Sequence, residues 1–384
     1  MNQHEVIPNA EIQRVEELDG LRALAILLVV AWHYIGIVGG PESTMWRVFI
    51  FGRAGVDLFF VLSGYLITRI LLANAGSPDY FSTFYYRRSF RILPIYYVML
   101  VIYLIGSHLG GSAPILFGGP LPWWSYFVGL QNIWMTIEQT YGAAWLAGTW
   151  SLAIEEQFYL IFPLVVHVVS SRTLPRLLVA LLVLCPVGRV IAYALGDELG
   201  YYVLMPLRAD ILAIGALIAW LEFSGSTSAS IPRIFQIVFW STACLFPIFA
   251  WVINHSTFNM ATWGHTYLVA FFGSMVFIVL DHRGAPQLAF LRSRPAAFFA
   301  RISYALYLNH GCVLILVFLA AGYDPTVLTW QGAALTVCAF AISVLICSAS
   351  YLLIEGPLIR MAHGKFNFGN PGKTSKDLLT AVNV

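Results

Sequence analysis

The sequence predicts an all-α, polytopic integral membrane protein with about ten transmembrane helices and one short re-entrant or interfacial segment. Of its 384 residues, 59% are hydrophobic and only 10% are charged, and the mean hydropathy is +0.77. Soluble domains carry about 25% charged residues, so most of this chain is expected to lie in lipid. The 15% aromatic content excludes intrinsic disorder, and a net charge of +2 without a basic run argues against nucleic-acid binding.

Ten stretches of the chain satisfy the length of a membrane-spanning helix, which is about 20 mostly apolar residues. An eleventh apolar stretch, at 123–137, is shorter and is interrupted by Gln131 and Asn132. We therefore expect this stretch to enter or lie on the membrane without crossing it. The ten predicted spans begin near Leu18, Val56, Ser89, Trp150, Leu174, Val203, Ile231, Thr262, Ile302 and Trp330.

The distribution of arginine and lysine predicts which ends of the helices are cytoplasmic, because cytoplasmic loops collect positive charge. If the stretch at 123–137 does not cross, the basic residues fall on one side almost throughout. The other side then has few basic residues besides Arg47 and Arg53. We expect both termini in the cytoplasm, with tails at 1–17 and 363–384 flanking one transmembrane domain at 18–362.

The five cysteines predict neither a disulfide framework nor a metal site. Their number is odd, none forms a CxxC pair, and all lie in apolar stretches. They are expected to pack as small hydrophobic residues. The five are Cys185, Cys244, Cys312, Cys338 and Cys347.

Several ionisable residues lie inside the predicted spans, where each costs about 2.5 kcal/mol or more at the bilayer centre. A lone histidine in an apolar helix is usually a hydrogen-bonded core residue, and ion pairs such as Arg189 with Asp210 can explain some of the charges. Neither explanation accounts for one histidine beside several carboxylates. The groups predicted to share a depth in the outer half are His33, Asp57, Ser151, Glu155, Glu156, Arg208 and Asp210.

An arginine cluster is predicted at the opposite, cytoplasmic end of the helices. Arginines three and four residues apart share one helix face, and their guanidinium groups bind phosphate bidentately. Contact with lipid headgroups explains any single arginine, but three arginines entering one helix favour a polyanionic ligand. The cluster comprises Arg22, Arg69, Arg87, Arg88 and Arg91. Arg22 and His33 are eleven residues apart, so they lie on nearly the same face, roughly 16 Å apart along the axis.

Seven segments of the sequence contain these charged residues and their neighbours. The segments are LDGLR (18–22) followed by His33, GVDLFFVLSG (55–64), RRSFRILP (87–94), WSLAIEEQFY (150–159), RAD (208–210), ISYALYLNH (302–310) and EGP (355–357). Together they cover nearly the whole chain from Leu18 to Arg360. In this order they resemble the membrane-bound acyltransferase 3 family. No single segment is decisive, but their common order makes chance agreement very rare.

The resemblance implies an enzyme that O-acylates cell-surface sugars or small molecules. The implied donor is acyl-CoA, acetyl-CoA by default, on the cytoplasmic side of the bacterial inner membrane. The implied acceptor is a hydroxyl of a carbohydrate or glycolipid at the outer face. The family's arginine–histidine element maps onto Arg22 and His33, and its arginine pair onto Arg88 and Arg91.

These residues predict a mechanism in which His33 is the general base, since histidine titrates near neutral pH. Asp57, or failing that Glu155, is expected to hold the other ring nitrogen. Ser63, Asn132 and Trp150 are candidate oxyanion donors, and Ser63 also remains open as a covalent nucleophile. Candidate substrate contacts are Glu156, Arg208, Asp210 and His310; His310 is the next candidate base.

Two other functions remain open at this point. A secondary transporter also has many spans with buried charges, but it predicts inverted repeats, which the sequence does not contain. A membrane protein that binds acyl sugars without catalysis would tolerate the loss of His33.

Overall fold

Ten helices in the described part of the chain are long and apolar enough to cross a membrane, which confirms the predicted fold class. The computed structural model describes residues 14–41, 43–109, 114–119, 121–225, 230–253 and 257–369. The helices are α1 (Glu16–Ile37), α2 (Thr44–Ala73), α3 (Tyr80–His108), α4 (Thr149–Val168), α5 (Leu174–Ala194), α6 (Gly200–Ser224), α7 (Ser230–Ala250), α8 (Met260–Asp281), α9 (Arg294–Ala321) and α10 (Trp330–Lys365).

Four of the helices contain irregular turns. The last turns of α1, Trp32–Ile37, form a π-helix that carries His33. The π-helical turns of α8 and α10 are Met260–Gly264 and Tyr351–Glu355. α2 consists of a short helix (Thr44–Phe49), a 3₁₀ segment (Ile50–Ala54) and a long helix (Gly55–Ala73). π-helical turns occur frequently at functional sites.

Side-chain caps mark where three helices begin. The Ser43 hydroxyl accepts from the Trp46 amide at 3.0 Å, directly before α2. The Ser293 hydroxyl accepts from the Ala296 amide at 3.4 Å, directly before α9. The Thr329 hydroxyl accepts from the Gly332 amide at 3.1 Å, directly before α10. A capping hydroxyl satisfies one of the amides that have no partner inside a helix. Short helices elsewhere in the described chain are Pro114–Phe117, Trp123–Phe127, Gln131–Ile137 and Thr257–Asn259, with a 3₁₀ helix at Pro286–Arg292.

The stretch at 123–137 contains no helix long enough to cross a membrane, which agrees with the prediction. It forms two short helices of 5 and 7 residues, joined at Gly129, whose φ of 68° is readily adopted only by glycine. Gln131 donates to the Thr149 carbonyl at 3.0 Å, and Gln157 donates to the Gly129 carbonyl at 2.8 Å. The polar residues that interrupt this stretch therefore fasten it to α4.

Glycines let α2 and α6 pack with their backbones in contact. A Cβ on Gly64 would lie 2.0 Å from the Leu212 carbonyl oxygen, and a Cβ on Gly215 would lie 2.1 Å from the Val61 oxygen. Small residues at helix crossings allow this close approach inside membranes. The crossing places the start of the long helix of α2 beside the start of α6.

The two ends of the helical bundle are named from α1. We call the end at which α1 begins the inner end and the opposite end the outer end. The assignment of the inner end to the cytoplasm stays a prediction. Most of the predicted tails, 1–17 and 363–384, lies outside the described residues.

Candidate active site

Two cavities lie back to back inside the bundle. The inner cavity has a volume of about 100 Å³ and is lined by α1–α4 and α9. The outer cavity has a volume of about 580 Å³ and is lined mainly by α1, the loop before α4, and α9. Both are lined by Val56 and Tyr307, so these two side chains lie where the cavities meet.

The inner cavity contains more positive than negative side chains. Arg22 of α1 and Arg88 and Arg91 of α3 line it together with Glu155 of α4. The Arg88 guanidinium lies 5.3 Å over the ring of Tyr159, a cation–π arrangement. Three guanidinium groups therefore share the cavity with one carboxylate.

Glu155 is held by hydroxyl groups within the same cavity. The Ser63 hydroxyl donates to Glu155 Oε1 at 2.5 Å, and the Tyr159 hydroxyl donates to Ser63 Oγ at 3.1 Å. Glu155 and Tyr159 are one helical turn apart on α4, so both reach Ser63 on α2. Ser63 is consequently part of a hydrogen-bonded chain on the cavity wall.

Two of the five predicted cluster arginines lie outside the inner cavity. Arg87 donates to the Phe366 carbonyl and to Asn367 Oδ1, both at 2.7 Å, and so holds the segment that follows α10. Arg69 lies 4.0 Å from Glu222 at the end of α6. The structure therefore does not bring Arg69 and Arg87 into the cavity with the other three arginines, and their predicted role in binding stays a prediction.

The outer cavity contains two histidines, His33 of α1 and His310 of α9. Their rings lie edge to face with centroids 4.7 Å apart. His33 Nδ1 lies 2.8 Å from the Val29 carbonyl oxygen, and His310 Nδ1 lies 2.8 Å from that of Leu306. Because a carbonyl oxygen can only accept, Nδ1 carries the hydrogen in both rings. In the neutral rings Nε2 is then free to accept a proton.

The histidines share the outer cavity with aromatic side chains. His310 is 6% exposed, and its Nε2 is buried without a hydrogen-bond partner among the described residues. The Trp150 and Tyr202 rings pack with centroids 4.5 Å apart. The aromatic residues of the wall are Trp32, Tyr141, Trp145, Trp150, Tyr202 and Tyr307.

Tyr307 and Ser151 form a hydroxyl pair where the cavities meet. Their oxygens are 2.5 Å apart, and each lies 3.1 Å from the Gly148 carbonyl oxygen. One of the two hydroxyls can donate to the carbonyl while the other donates within the pair. Both hydrogens are used in this arrangement, so a ligand between the cavities receives a hydrogen bond when one hydroxyl turns away from the Gly148 carbonyl oxygen.

The predicted carboxylate partner of His33 is wrong. Asp57 accepts a hydrogen bond from Arg208, and His265 Nδ1 lies 3.8 Å from Asp57 Oδ1. Glu155 lies in the inner cavity, bonded to Ser63. The backbone carbonyl one turn earlier on α1 orients the His33 ring instead.

Ion pairs account for the other buried charges at this depth. Asp57 and Arg208 pair with side chains that are 4% and 1% exposed, and Arg189 and Asp210 pair at 2.8 Å with side chains 0% and 2% exposed. The alternative of structural ion pairs therefore explains Asp57, Arg208 and Asp210. Asp57, Arg208 and Asp210 line neither cavity. Cavity contacts therefore do not support the catalytic or substrate roles predicted for them.

Two further predicted site residues lie beside the 123–137 stretch. Asn132 donates to the Val203 carbonyl at 3.0 Å and accepts from Gln157 at 2.9 Å. Glu156 packs against Gly129, where an added Cβ would lie 2.8 Å from Glu156 Oε2, and its Oε1 is buried without a hydrogen-bond partner among the described residues. Neither side chain lines either of the two cavities, so the oxyanion role of Asn132 and the substrate role of Glu156 stay predictions. Ser63 and Trp150 do line the inner and outer cavities, respectively.

Comparison with known proteins decides the family. The profile of the acyltransferase 3 family, described as an acyltransferase domain, matches residues 15–352. The chain belongs to this family.

Two curated relatives of this acyltransferase 3 chain are named as O-acetyltransferases. Peptidoglycan O-acetyltransferase OatA of Listeria monocytogenes is 30% identical over 325 residues, which cover 79% of this chain and 50% of that protein. O-acetyltransferase OatA of Staphylococcus aureus is 26% identical over 388 residues, which cover 91% of this chain and 58% of that protein. The chain therefore spans little more than half the length of these relatives. No solved structure matches it.

Several residues of the two cavities and of the ion pairs beside them were missing from the predicted set. Tyr159 lies four residues after Glu155, and Tyr307 three before His310, so helical spacing from a predicted residue could have identified both. Arg53 carried a signal as one of the few arginines on the predicted outer side. His265 carried none, because only its contact with Arg208 distinguishes it from any other histidine in an apolar helix.

Proposed function

We propose that this protein is a membrane O-acetyltransferase that carries an acyl group across the bilayer. The donor is acyl-CoA, with acetyl-CoA as the preferred form, and it binds from the cytoplasm at the inner end. The acceptor is a hydroxyl of a cell-wall glycan at the outer end, with peptidoglycan favoured by the name of the relative from Listeria monocytogenes. The observation that carries the proposal is the meeting of an arginine-lined cavity and a histidine-lined cavity at Tyr307.

The inner cavity suits the donor because coenzyme A is polyanionic at its nucleotide end and slender along its pantetheine arm. Arg91 is exposed, whereas Arg22 and Arg88 are partly buried. The phosphate groups of a donor that lies at the mouth of the inner cavity can therefore contact all three guanidinium groups. Guanidinium groups bind phosphate with two parallel hydrogen bonds. A cavity of about 100 Å³ is too small for the whole donor, so we assign the thioester end of the arm to the cavity and the nucleotide to its mouth. The thioester then lies near Tyr307.

The outer cavity suits a sugar acceptor. Its volume of about 580 Å³ lies within the range of small-molecule sites, about 300–1,000 Å³. Aromatic rings line much of its wall, and the apolar faces of sugar rings stack on aromatic side chains. The sugar hydroxyls can meanwhile bond the few polar groups, which include His33 and His310.

The chemistry assigned to His33 needs no carboxylate partner. Nε2 removes the proton of the acceptor hydroxyl, whose oxygen forms a bond to the thioester carbonyl carbon. The carbon–sulfur bond then breaks, and the CoA thiolate takes the proton back from the imidazolium. The Val29 carbonyl accepts from Nδ1–H throughout, which keeps Nε2 available and stabilises the charged ring. One hydroxyl of the Tyr307 and Ser151 pair turns away from the Gly148 carbonyl oxygen and donates to the tetrahedral oxyanion.

An assay of purified protein with acetyl-CoA and peptidoglycan fragments tests the proposal. We expect release of CoA thiol that depends on the fragments, together with acetylated fragments detected by mass spectrometry. His33→Ala should lower this rate by at least about a hundredfold, the lower range of general-base contributions, while acetyl-CoA binding is retained. His282→Ala, at an exposed histidine beside Asp281, is the matched control and should be unaffected.

Two results would contradict the proposal. Near-normal turnover by His33→Ala would remove the assigned base. Uptake of a sugar into liposomes without thiol release would indicate transport instead of acyl transfer.

A further inference from the structure

The outer cavity contains an arginine, Arg53, that the proposed reaction does not use. Arg53 lies in the 3₁₀ segment of α2, Ile50–Ala54. The flanking glycines press this segment against α1: an added Cβ on Gly52 would lie 2.3 Å from the Leu28 oxygen, and one on Gly55 would lie 2.3 Å from the Ala25 oxygen. Side chains larger than hydrogen would separate the two backbones, so these glycines determine where Arg53 sits beside α1.

The charge of Arg53 is not balanced by the protein around it. Of the described residues that line the outer cavity, Arg53 alone carries a permanent charge, and none is an aspartate or glutamate. The buried Arg189 and Arg208 each pair with an aspartate, whereas Arg53 forms no ion pair with any described residue. An unpaired cation in a largely apolar cavity is costly without a ligand, and this cost indicates that something else supplies the negative charge.

The Tyr202 ring holds Arg53 on the wall of the cavity. The guanidinium carbon lies 5.2 Å from the ring centroid, and Tyr202 in turn packs against Trp150. An arginine stacked on an aromatic ring keeps the N–H groups at its edge available. These N–H groups match the two oxygens of a carboxylate or a phosphate.

The predicted sidedness of the chain makes Arg53 unusual for a second reason. Arginines on the outer side are rare under the positive-inside tendency, and this sequence has few beyond Arg47 and Arg53. Arg47 is exposed and does not line the cavity, so lipid headgroups account for it. Arg53 shares a cavity with His33 and His310, where a lipid headgroup gives no explanation.

We propose that Arg53 binds an anionic group of the acceptor, so that the preferred acceptor is a glycan with a carboxylate or phosphate near the acylated hydroxyl. This inference rests on the proposed function, because it assigns the acceptor to the outer cavity. A neutral glycan would offer the Arg53 guanidinium no negative charge. A site rejects an analogue that lacks the matching group when the analogue leaves a polar group of the site unpaired.

Acetyl transfer to three matched glycans tests the inference. The acceptors are the neutral N-acetylglucosamine tetramer, the same tetramer with one carboxymethyl ether, and the same tetramer with one phosphate ester. We expect the wild type to favour one anionic tetramer over the neutral one in kcat/KM by about tenfold or more, as charged hydrogen bonds do. The anionic tetramer that is favoured identifies carboxylate or phosphate as the recognised group.

The Arg53→Gln variant separates recognition from chemistry. It should lower kcat/KM for the favoured anionic tetramer by about tenfold to a hundredfold and leave the value for the neutral tetramer unchanged. Arg53→Lys should retain part of the preference because it keeps the charge. Arg47→Gln, which removes the other outer-side arginine, should retain all of it. Acetyl-CoA binding, measured on each variant, establishes that the inner cavity is intact.

Two results would overturn the inference while leaving acetyl transfer itself in place. One is equal kcat/KM for all three tetramers in the wild type. The other is an equal loss for all three in Arg53→Gln. A wild type that acetylates no glycan, but still binds acetyl-CoA, would overturn the proposed function together with this inference.

Discussion

Two groups of arginines inside the bundle differ in whether the protein balances their charge. In the first group, which we call the ion-pair region, each arginine has its own aspartate and the side chains are at most 4% exposed. In the inner cavity, three arginines line the wall with one glutamate, and Arg22 also lies 3.3 Å from Asp19, which Arg14 shares. The first group is neutral without a ligand, whereas the arginines of the second outnumber these carboxylates until an anion binds. The ion-pair region consists of Asp57, Arg189, Arg208 and Asp210.

The difference shows that burial alone does not identify a functional charge. All of these residues are ionisable groups in helices that cross the membrane, and all are costly there. The ion-pair region lies beside the crossing of α2 and α6, where Gly64 and Gly215 bring the backbones together. The inner cavity leaves space next to its charges. An unmatched charge beside an open volume is therefore the better guide to a ligand site.

Breaking one ion pair should have the largest effect on stability. Arg208→Met leaves Asp57 buried without its partner and should lower the free energy of unfolding by about 3–5 kcal/mol. Arg208→Met with Asp57→Leu should recover most of this loss, since apolar replacement of a buried pair is often neutral or stabilising. Thermal unfolding in detergent measures both. A stable Arg208→Met protein that has lost acyl transfer would instead assign Arg208 to the substrate.

Substituting two neighbouring arginines of α3 should have a smaller effect, which is a loss of CoA affinity instead of a loss of stability. Arg88→Ala should weaken CoA binding by about 1.5–3 kcal/mol, the range for hydrogen bonds to charged groups, without destabilising the fold. Arg87→Ala is the matched control, because Arg87 holds the segment after α10 and its loss should leave CoA affinity unchanged. Arg88→Lys should rescue poorly, since ammonium lacks the planar fork. Isothermal titration with CoA measures each affinity, and equal values for Arg88→Ala and Arg87→Ala would rule out the cavity as the phosphate site.

The fold was predictable because each spanning segment must satisfy its own backbone hydrogen bonds in lipid. Hydropathy therefore located ten spans, and Gln131 and Asn132 marked the stretch that does not cross. Helical spacing likewise placed Arg88 and Arg91 on one face. These features depend on local sequence only.

The partners of the charged residues could not be predicted in the same way. Asp57 and Arg208 are 151 positions apart, and residues at one depth allow several pairings that only helix packing decides. Arg87 shares a helix with Arg88 but contacts a segment 279 positions away. For His33 the error had a local cause, because a carbonyl one turn earlier satisfies Nδ1 without any carboxylate.

The sidedness of the reaction tests the central claim most directly. Proteoliposomes are prepared in which a C-terminal tag is protected from external protease, with acetyl-CoA sealed inside and peptidoglycan fragments outside. If the donor enters at the inner end and the acceptor at the outer end, acetylated fragments appear outside while CoA thiol accumulates inside. Arg88→Ala and His33→Ala should each reduce both products, whereas Arg87→Ala should reduce neither. Transfer that occurs only when acetyl-CoA and fragments share the outer compartment would contradict the account.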